Sequence, residues 1–391
     1  MRGSNQKARE SSRVSYLWKD PEAPESYTTG VSLHSHTNQS RETLDFLANL
    51  GKRTGWIKRL VTRCEDRARV NHSISVDYAR SYWTPPLTPK LAFDLESRQV
   101  EKLGLAPLVS LTDHDTIRAP MLLRTVPSAR HIPVSVEWSV PYGGDQSFHL
   151  GIHNLPSATG AAWMQTFADF TAHPSDQRLT EILRELDAMP QVLIVFNHPH
   201  WDLYLAGAAR HQQLLRLFMQ ANGAYLHALE LNGLRSWTEN RAVKAMAREW
   251  NKVLISGGDR HGMEPNANIN LTNARSFTEF VQEVREERRS HVLFMPQYAE
   301  PWKHRVLQST LDVVRNYPDF PQGSQRWDER VYHPDAEGVV RPISALWPAS
   351  RPPAYLSYLI GSVRLLGARP VSRSLRRAWG EGGELRLVLG E

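Results

Sequence analysis

The 391-residue chain has a single cysteine, Cys64. A lone thiol excludes an intramolecular disulfide framework and a thiolate-built zinc cluster, so any metal must be held by imidazoles and carboxylates. Also missing is any run near the ~20 uninterrupted apolar residues of a spanning helix. The first residues, MRGSNQKARESS, lack the apolar core of a secretory signal, so no transmembrane segment is expected and the cytoplasm is the expected location. Charge of one sign is lacking as well. Forty-seven Lys and Arg against 41 Asp and Glu leave +6, a mild bias towards anionic partners that does not diagnose nucleic acid.

What is present fits a folded enzyme: 41% hydrophobic and 23% charged residues, and a length sufficient for one barrel-sized domain with additions or for two ordinary domains. Residues 1–27 are polar and read as a poorly ordered arm. From Thr28 onward, short β-rich apolar runs alternate with polar clusters and helical patterns, the signature of a parallel α/β sheet or barrel. The runs are TTGVSLHSH, APLVSLTDHD, IPVSVEWSV, FHLGIHN, QVLIVFNHPH, LHALELNG, KVLISGGDRH and SHVLFMPQ. Helices are expected over 90–103, 178–188, 238–250 and 276–289, with Thr238 capping the third and a Ser276/Glu279 capping box opening the fourth. An insertion over about 50–90 reads as a helical cover ending in YWTPPLTP; Lys52 to Arg69 holds seven Lys/Arg and two acids, a solvated helix face or a basic wall. Residues 299–391 form a Pro-, Trp- and Arg-rich extension without a catalytic-looking cluster. Within it, 354–379 mixes apolar and basic residues, as a helix docked on the barrel or one lying on a membrane surface would.

The chemistry sits where the runs end. His34 and His36, two apart, share one face if their strand stays regular. His114 follows LVSL, and Glu137 interrupts PVSVEWSV, where an unpaired carboxylate is costly to bury and a metal offsets the cost. His149 and His198 cap further strands. Asp259 and His261 form a DxH after Gly257 and Gly258, small residues that allow a tight turn where ligands converge. In an α/β barrel the strand C-termini point to one end, so these eight residues, His34, His36, His114, Glu137, His149, His198, Asp259 and His261, would meet there. Imidazoles and carboxylates without thiolate suit zinc, manganese or iron.

These motifs, HSH at His34 to His36, TDHD at Thr112 to Asp115, HP at His198 and Pro199, and DRH at Asp259 to His261, resemble in order those of the PHP (polymerase and histidinol phosphatase) family of phosphoesterases, over roughly residues 28–298. The resemblance implies a distorted (βα)7 TIM-like α/β barrel, here with a helical insertion and a C-terminal extension, holding two or three divalent ions (Zn, Mn or Fe). It implies that His34, His36, Glu137 and Asp259 hold one ion and Glu137, His149 and His198 a second. His114 and His261 would belong to a third, with Glu42 at the family's remaining ligand position. Asp113 and Asp115 are expected to support ligands or cap the following turn. His153 is an orienter, or the substitute ligand should His149 point away.

The expected reaction is hydrolysis of a phosphoester of a small phosphorylated metabolite or nucleotide, with a metal-bridging hydroxide attacking phosphorus. No protein nucleophile is required. His261 and His200 are the candidate proton donors to the leaving alkoxide. Arg260 is the first candidate phosphate clamp, ahead of Arg118, Arg41 and Arg235. Trp138, Trp201 and Trp237 follow strands closely enough to stack on a base or sugar, or to serve as core. Competing readings are a nuclease acting on nucleic-acid ends, resting on net charge and the basic insertion, and a non-catalytic metal-binding scaffold. Oligomeric state is not encoded in these patterns.

Overall fold

The apolar runs become strands in the computed structural model, which describes residues 12–44, 59, 62–63, 66, 77–321, 323–347, 352 and 354–380. Strands are β1 (Ser12–Tyr16), β2 (Thr29–Ser32), β3 (Glu42–Thr43), β4 (Tyr82–Trp83), β5 (Ala106–Val109), β6 (Val134–Tyr142), β7 (Gln146–Leu155), β8 (Leu193–Asn197), β9 (Ala228–Asn232), β10 (Val253–Gly257), β11 (Asn268–Thr272), β12 (Ser290–Phe294), β13 (Val331–Pro334) and β14 (Val340–Pro342). Among the described residues the helices are α1 (Pro89–Glu101), α2 (Arg118–Leu123), α3 (Gly160–Ala172), α4 (Asp176–Asp187), α5 (Ala208–Asn222), α6 (Trp237–Glu249), α7 (Phe277–Arg285), α8 (Trp302–Val314), α9 (Ile343–Leu346), α10 (Ala354–Leu366) and α11 (Arg369–Gly380).

The fold is mixed α/β, and its ladders do not close into a barrel. One five-stranded sheet runs β1-β12-β11-β2-β5 and a second runs β10-β9-β8-β7-β6. Two isolated parallel bridges add to these ladders: Ser35 with Arg260, just past the ends of β2 and β10, and His114, past the end of β5, with Glu137 inside β6. The expectation of a parallel barrel fails because β6-β7-β8 and β2-β11-β12 pair antiparallel. Hairpin-like pairing of β6 with β7 gives a tight connection that no parallel pair can make.

Order also begins before Thr28: β1 pairs parallel with β12 and residues 23–26 form a 3-10 turn, so Ser12–Tyr16 of the expected arm belongs to the first sheet, while residues 1–11 lie outside the described residues. The expected cover over 50–90 falls largely outside the described residues. Helix starts follow local capping, with one shift: Ser236, not Thr238, accepts from Glu239 N and opens α6. At α7, Ser276 accepts from Glu279 N, while the Glu279 carboxylate accepts from Arg275 N instead of closing a capping box.

Helices α3 to α6 cover the second sheet around a core in which Trp138 stacks on Phe167 with centroids 4.3 Å apart. Trp138 and Trp237 are fully buried there, which makes them core residues. The C-terminal extension is built in. Its β13 pairs β4, and β4 pairs β3, so a four-stranded sheet β14-β13-β4-β3 ties the extension to the segment carrying Glu42. No described helix is long and apolar enough to cross a membrane.

Candidate metal centre

The sequence-predicted ligands converge on Glu137. This carboxylate is fully buried in the middle of β6, and its two oxygens face different imidazoles. Oε2 lies 2.9 Å from His34 Nε2, 3.2 Å from His36 Nε2 and 3.3 Å from His114 Nε2. Oε1 lies 3.3 Å from His149 Nδ1 and 3.1 Å from His198 Nε2. On one flank, Asp259 Oδ1 is 3.7 Å from the Nε2 atoms of both His34 and His36. On the other, Glu42 Oε2 reaches His114 Nε2 at 3.2 Å and His261 Nε2 at 3.1 Å, and its Oε1 stands 3.4 Å from His36 Nδ1.

Backbone geometry explains the convergence better than strand regularity does. β2 ends at Ser32, and His34 adopts φ 61, so the HxH pair is presented by a left-handed kink and not by an extended strand. His198 (φ 27) and Asp259 (φ 54) share this conformation, which is disfavoured for residues other than glycine at about 1–3 kcal/mol each and persists only where the surroundings over-determine it. His149 does not cap a strand: it lies early in β7, opposite Asn197 and Ser139. Because β7 runs antiparallel to β8, its beginning lies at the end where β8 finishes.

The cluster has groupings able to hold cations: His36, Glu42, His114 and His261; His34, His36 and Glu137; His34, His198 and Asp259; His114, Glu137 and His149. Donors ~2.0–2.2 Å from a tetrahedral ion lie roughly 3–3.5 Å apart, close to the spacings found. His36 Nε2 and His149 Nδ1 are buried without a hydrogen-bond partner. Buried polar atoms are rarely left so, and a cation would satisfy both.

Electrostatics agree. Burial opposes charge on His114, yet Glu42 and Glu137 outweigh it and push its pKa up to about 10. Burial and the neighbouring His261 drive His36 down to about 3. Glu137 is held well below the usual carboxylate range: the surrounding imidazoles overcome its burial. The carboxylates thus stay charged and recruit positive charge, as protons on some imidazoles or as metal.

Around the donors lies a supporting layer, of which the sequence patterns did not single out Glu230, Asn232 or Asn197. Glu230, on β9, stands 3.0 Å from His34 Nδ1 and turns the opposite ring nitrogen to Glu137. Asn232 donates to Glu230 and Asp259, and Asn197 donates to Glu137 Oε1 at 3.0 Å. Asp113 accepts from Thr37 N and Oγ1, and Asp115 accepts from Ser139 N at 2.9 Å, so both brace distant backbone instead of supporting a ligand directly or capping the turn that follows them. His153 bonds Ser110 Oγ at 2.8 Å and does not replace His149. The glycines act differently from the tight-turn expectation: a Cβ on Gly257 would collide with the Glu230 carboxylate, and one on Gly258 with Asn266.

Two predicted functional residues are misplaced. Arg260 is buried, with Nε donating to Glu96 Oε1 at 2.8 Å and the remaining nitrogens to the carbonyls of Gly262 and His36. It is a structural ion pair, its guanidinium held on the far side of the HxH segment from the donors it lies between in sequence. His200 likewise does not line the cavity above the donors; its Nε2 is buried without a hydrogen-bond partner. Arg118 does not line the cavity above the donors, whereas Arg41 and Arg235 do. The Arg235 guanidinium lies over Trp201, 3.9 Å from its ring centre, and 3.3 Å from Asp259 Oδ2, with its Nε buried and unpaired. Trp201 in turn packs edge-on against His198 at 5.0 Å between centroids.

No protein-family profile and no curated sequence matches the chain. Among solved structures it is similar to an amidohydrolase from Chromobacterium violaceum with bound sulfate and no metal (16% identity, TM-score 0.36, 68% of this chain and 97% of that one). It is similar to PsfC from Pseudomonas syringae (14%, TM-score 0.37, 72% and 96%) and to a protein from Bifidobacterium adolescentis described as a putative metal-dependent phosphoesterase (16%, TM-score 0.32, 52% and 92%).

Proposed function

We propose that the chain is a metal-dependent phosphoester hydrolase of the PHP kind. The observation that carries this reading is Glu137, a buried carboxylate dividing its two oxygens between separate sets of imidazoles, with Asp259 and Glu42 completing the flanks. Overlapping donor groups on one cavity suit a reactant with several anionic oxygens, as a phosphoryl group has. Divalent ions bound here would polarise those oxygens and make a hydrolytic water acidic near neutral pH. His34, His36, Glu137 and Asp259 would hold one ion, Glu137, His149 and His198 a second, and Glu42, His114 and His261 a third.

The chain's own residues do the rest. Arg235, stacked on Trp201 and paired with Asp259, lines the cavity and would set its guanidinium against a phosphoryl oxygen. His261 lines the cavity; with only the first two ion positions filled its imidazole stays free of metal, Glu42 favours its charged form against burial, and it would give a proton to the departing alkoxide. Arg41 and Arg235 are the guanidinium groups on the described cavity wall, enough for one phosphoryl group and few for a nucleic-acid backbone.

The test is elemental analysis of the purified protein, paired with hydrolysis of p-nitrophenyl phosphate and bis(p-nitrophenyl) phosphate with and without Mn²⁺ or Zn²⁺. Two or more ions per chain, with turnover lost in His34→Ala and Asp259→Ala, is the expected result. A metal-free protein inert to both esters with either ion present would overturn it.

A further inference from the structure

The cavity over the donor cluster is larger than phosphorus chemistry requires. Its volume is about 1250 Å³, beyond the ~300–1,000 Å³ of ordinary small-molecule pockets. Its floor carries His114, His149, Asp259 and His261. One wall is strongly apolar: Leu44, Trp83, Val331, Trp302, Val306 and Val313.

This wall comes from the extension and the segment paired with it. Trp83 stands beside the donors, its ring centre 5.7 Å from that of His261, and Val331 lies opposite it in the β4–β13 ladder. Trp302, Val306, Ser309, Thr310 and Val313 line it at helical spacing on α8, so one face of that helix, apolar but for two hydroxyls, looks into the cavity. The face is fixed in place. Arg305 donates to the carbonyls of Gly233 and Arg235, and Asp312 accepts from Met263 N at 2.8 Å, pinning α8 to the loops after β9 and β10. Val306 remains 36% exposed. An apolar surface held rigidly at the rim of a reaction centre is costly in water and is covered when a ligand's apolar part lies on it.

Resting on the phosphoesterase reading, we infer that this wall selects the non-phosphoryl part of the substrate, which is a bulky, ring-bearing apolar group. The substrate class is then a phosphoester of a hydrophobic alcohol or phenol, with its phosphoryl group at the donor cluster and its ring between Trp83 and the valines of α8. A small polyol phosphate would leave that wall wetted.

Phenylphosphonate and methylphosphonate share a phosphonyl head, resist hydrolysis and differ in the ring, so calorimetric titration of the metal-replete protein isolates the wall. The expected result is phenylphosphonate binding ~10-fold or more tighter. That preference should shrink to about twofold or less in Val306→Asp that retains its melting transition and metal content. Equal affinity of the native protein for the two ligands, or a preference surviving in Val306→Asp, overturns the inference and leaves the phosphoesterase reading standing. Failure of both to bind would count against the phosphoesterase reading itself.

Discussion

Glu230 sets the orientation of His34 without facing the cavity. Its carboxylate meets Nδ1 at 3.0 Å, which leaves Nε2 for the cluster, and burial raises its pKa despite that partner. Such carboxylate–imidazole pairs fix the ring and raise its basicity, and losing one typically costs 10–100-fold in metal affinity. Glu230→Gln keeps the size but loses the charge, and should weaken metal retention by that factor in a chelator competition titration. Affinity within twofold of the native protein would show that Glu230 is only packing. The cue for this residue was in the sequence: LHALELNG buries an acid in an apolar run, as PVSVEWSV does with Glu137. Arg260 shows the opposite case: it lies between Asp259 and His261 in sequence, yet its guanidinium is buried against Glu96. Residues two apart, His34 with His36 and Asp259 with His261, were the more reliable signal, even though a left-handed residue and not a regular strand brings the first pair together.

Elements were legible where apolar runs are long and ambiguous where polar residues are buried. β8, β9 and β10 follow LIVF, LELN and LISG closely, but direction has no sequence signature, so the antiparallel β7 and β11 were not foreseen. The sequence of β11, NINLT, is not one of the apolar runs, because two of its five residues are asparagines. Both are buried, Asn268 donating to Leu231 O and Asn270 accepting from Ser256 N across neighbouring strands. Helix α8 lay in the stretch without a catalytic-looking cluster, because its contribution is a position and not a motif. Arg305 is its main tie: buried to 8% exposure, it spans the carbonyls of Gly233 and Arg235 and stacks on Tyr298 at 4.2 Å. Arg305→Ala leaves those carbonyls without their guanidinium donor, so urea unfolding should show a loss of about 1–3 kcal/mol. The loop bearing Arg235 should loosen with it, and kcat/KM for a phosphoester should fall more than metal content does. Unchanged stability together with unchanged kcat/KM would mean that α8 is not a working part of the site.

At the scale of the molecule, the cluster makes metal content a folding variable. Glu42, Glu137, Glu230 and Asp259 are all buried within one group of imidazoles, where like charges repel and desolvation penalises each ion. Cations that bind only the folded chain stabilise it in proportion to the logarithm of their concentration over Kd, about 4 kcal/mol per site at a thousandfold excess. Protons on His34 and His114, whose pKa values are raised by these carboxylates, replace part of that charge when metal is absent, so the stripped protein should fold but melt earlier. Raising pH through the elevated His114 value of about 10 removes the substitute proton, so the stripped protein should lose further stability there while the loaded one, whose imidazoles are already deprotonated, should not lose it from this source. Thermal melting with and without excess chelator at pH 7.5 and 10 tests both steps. The expected pattern is a drop of several degrees on chelation, reversed by Mn²⁺ or Zn²⁺, with a wider gap at the higher pH. Identical midpoints at both values, in protein shown by elemental analysis to have carried metal, would mean that the cluster's charges are balanced without it.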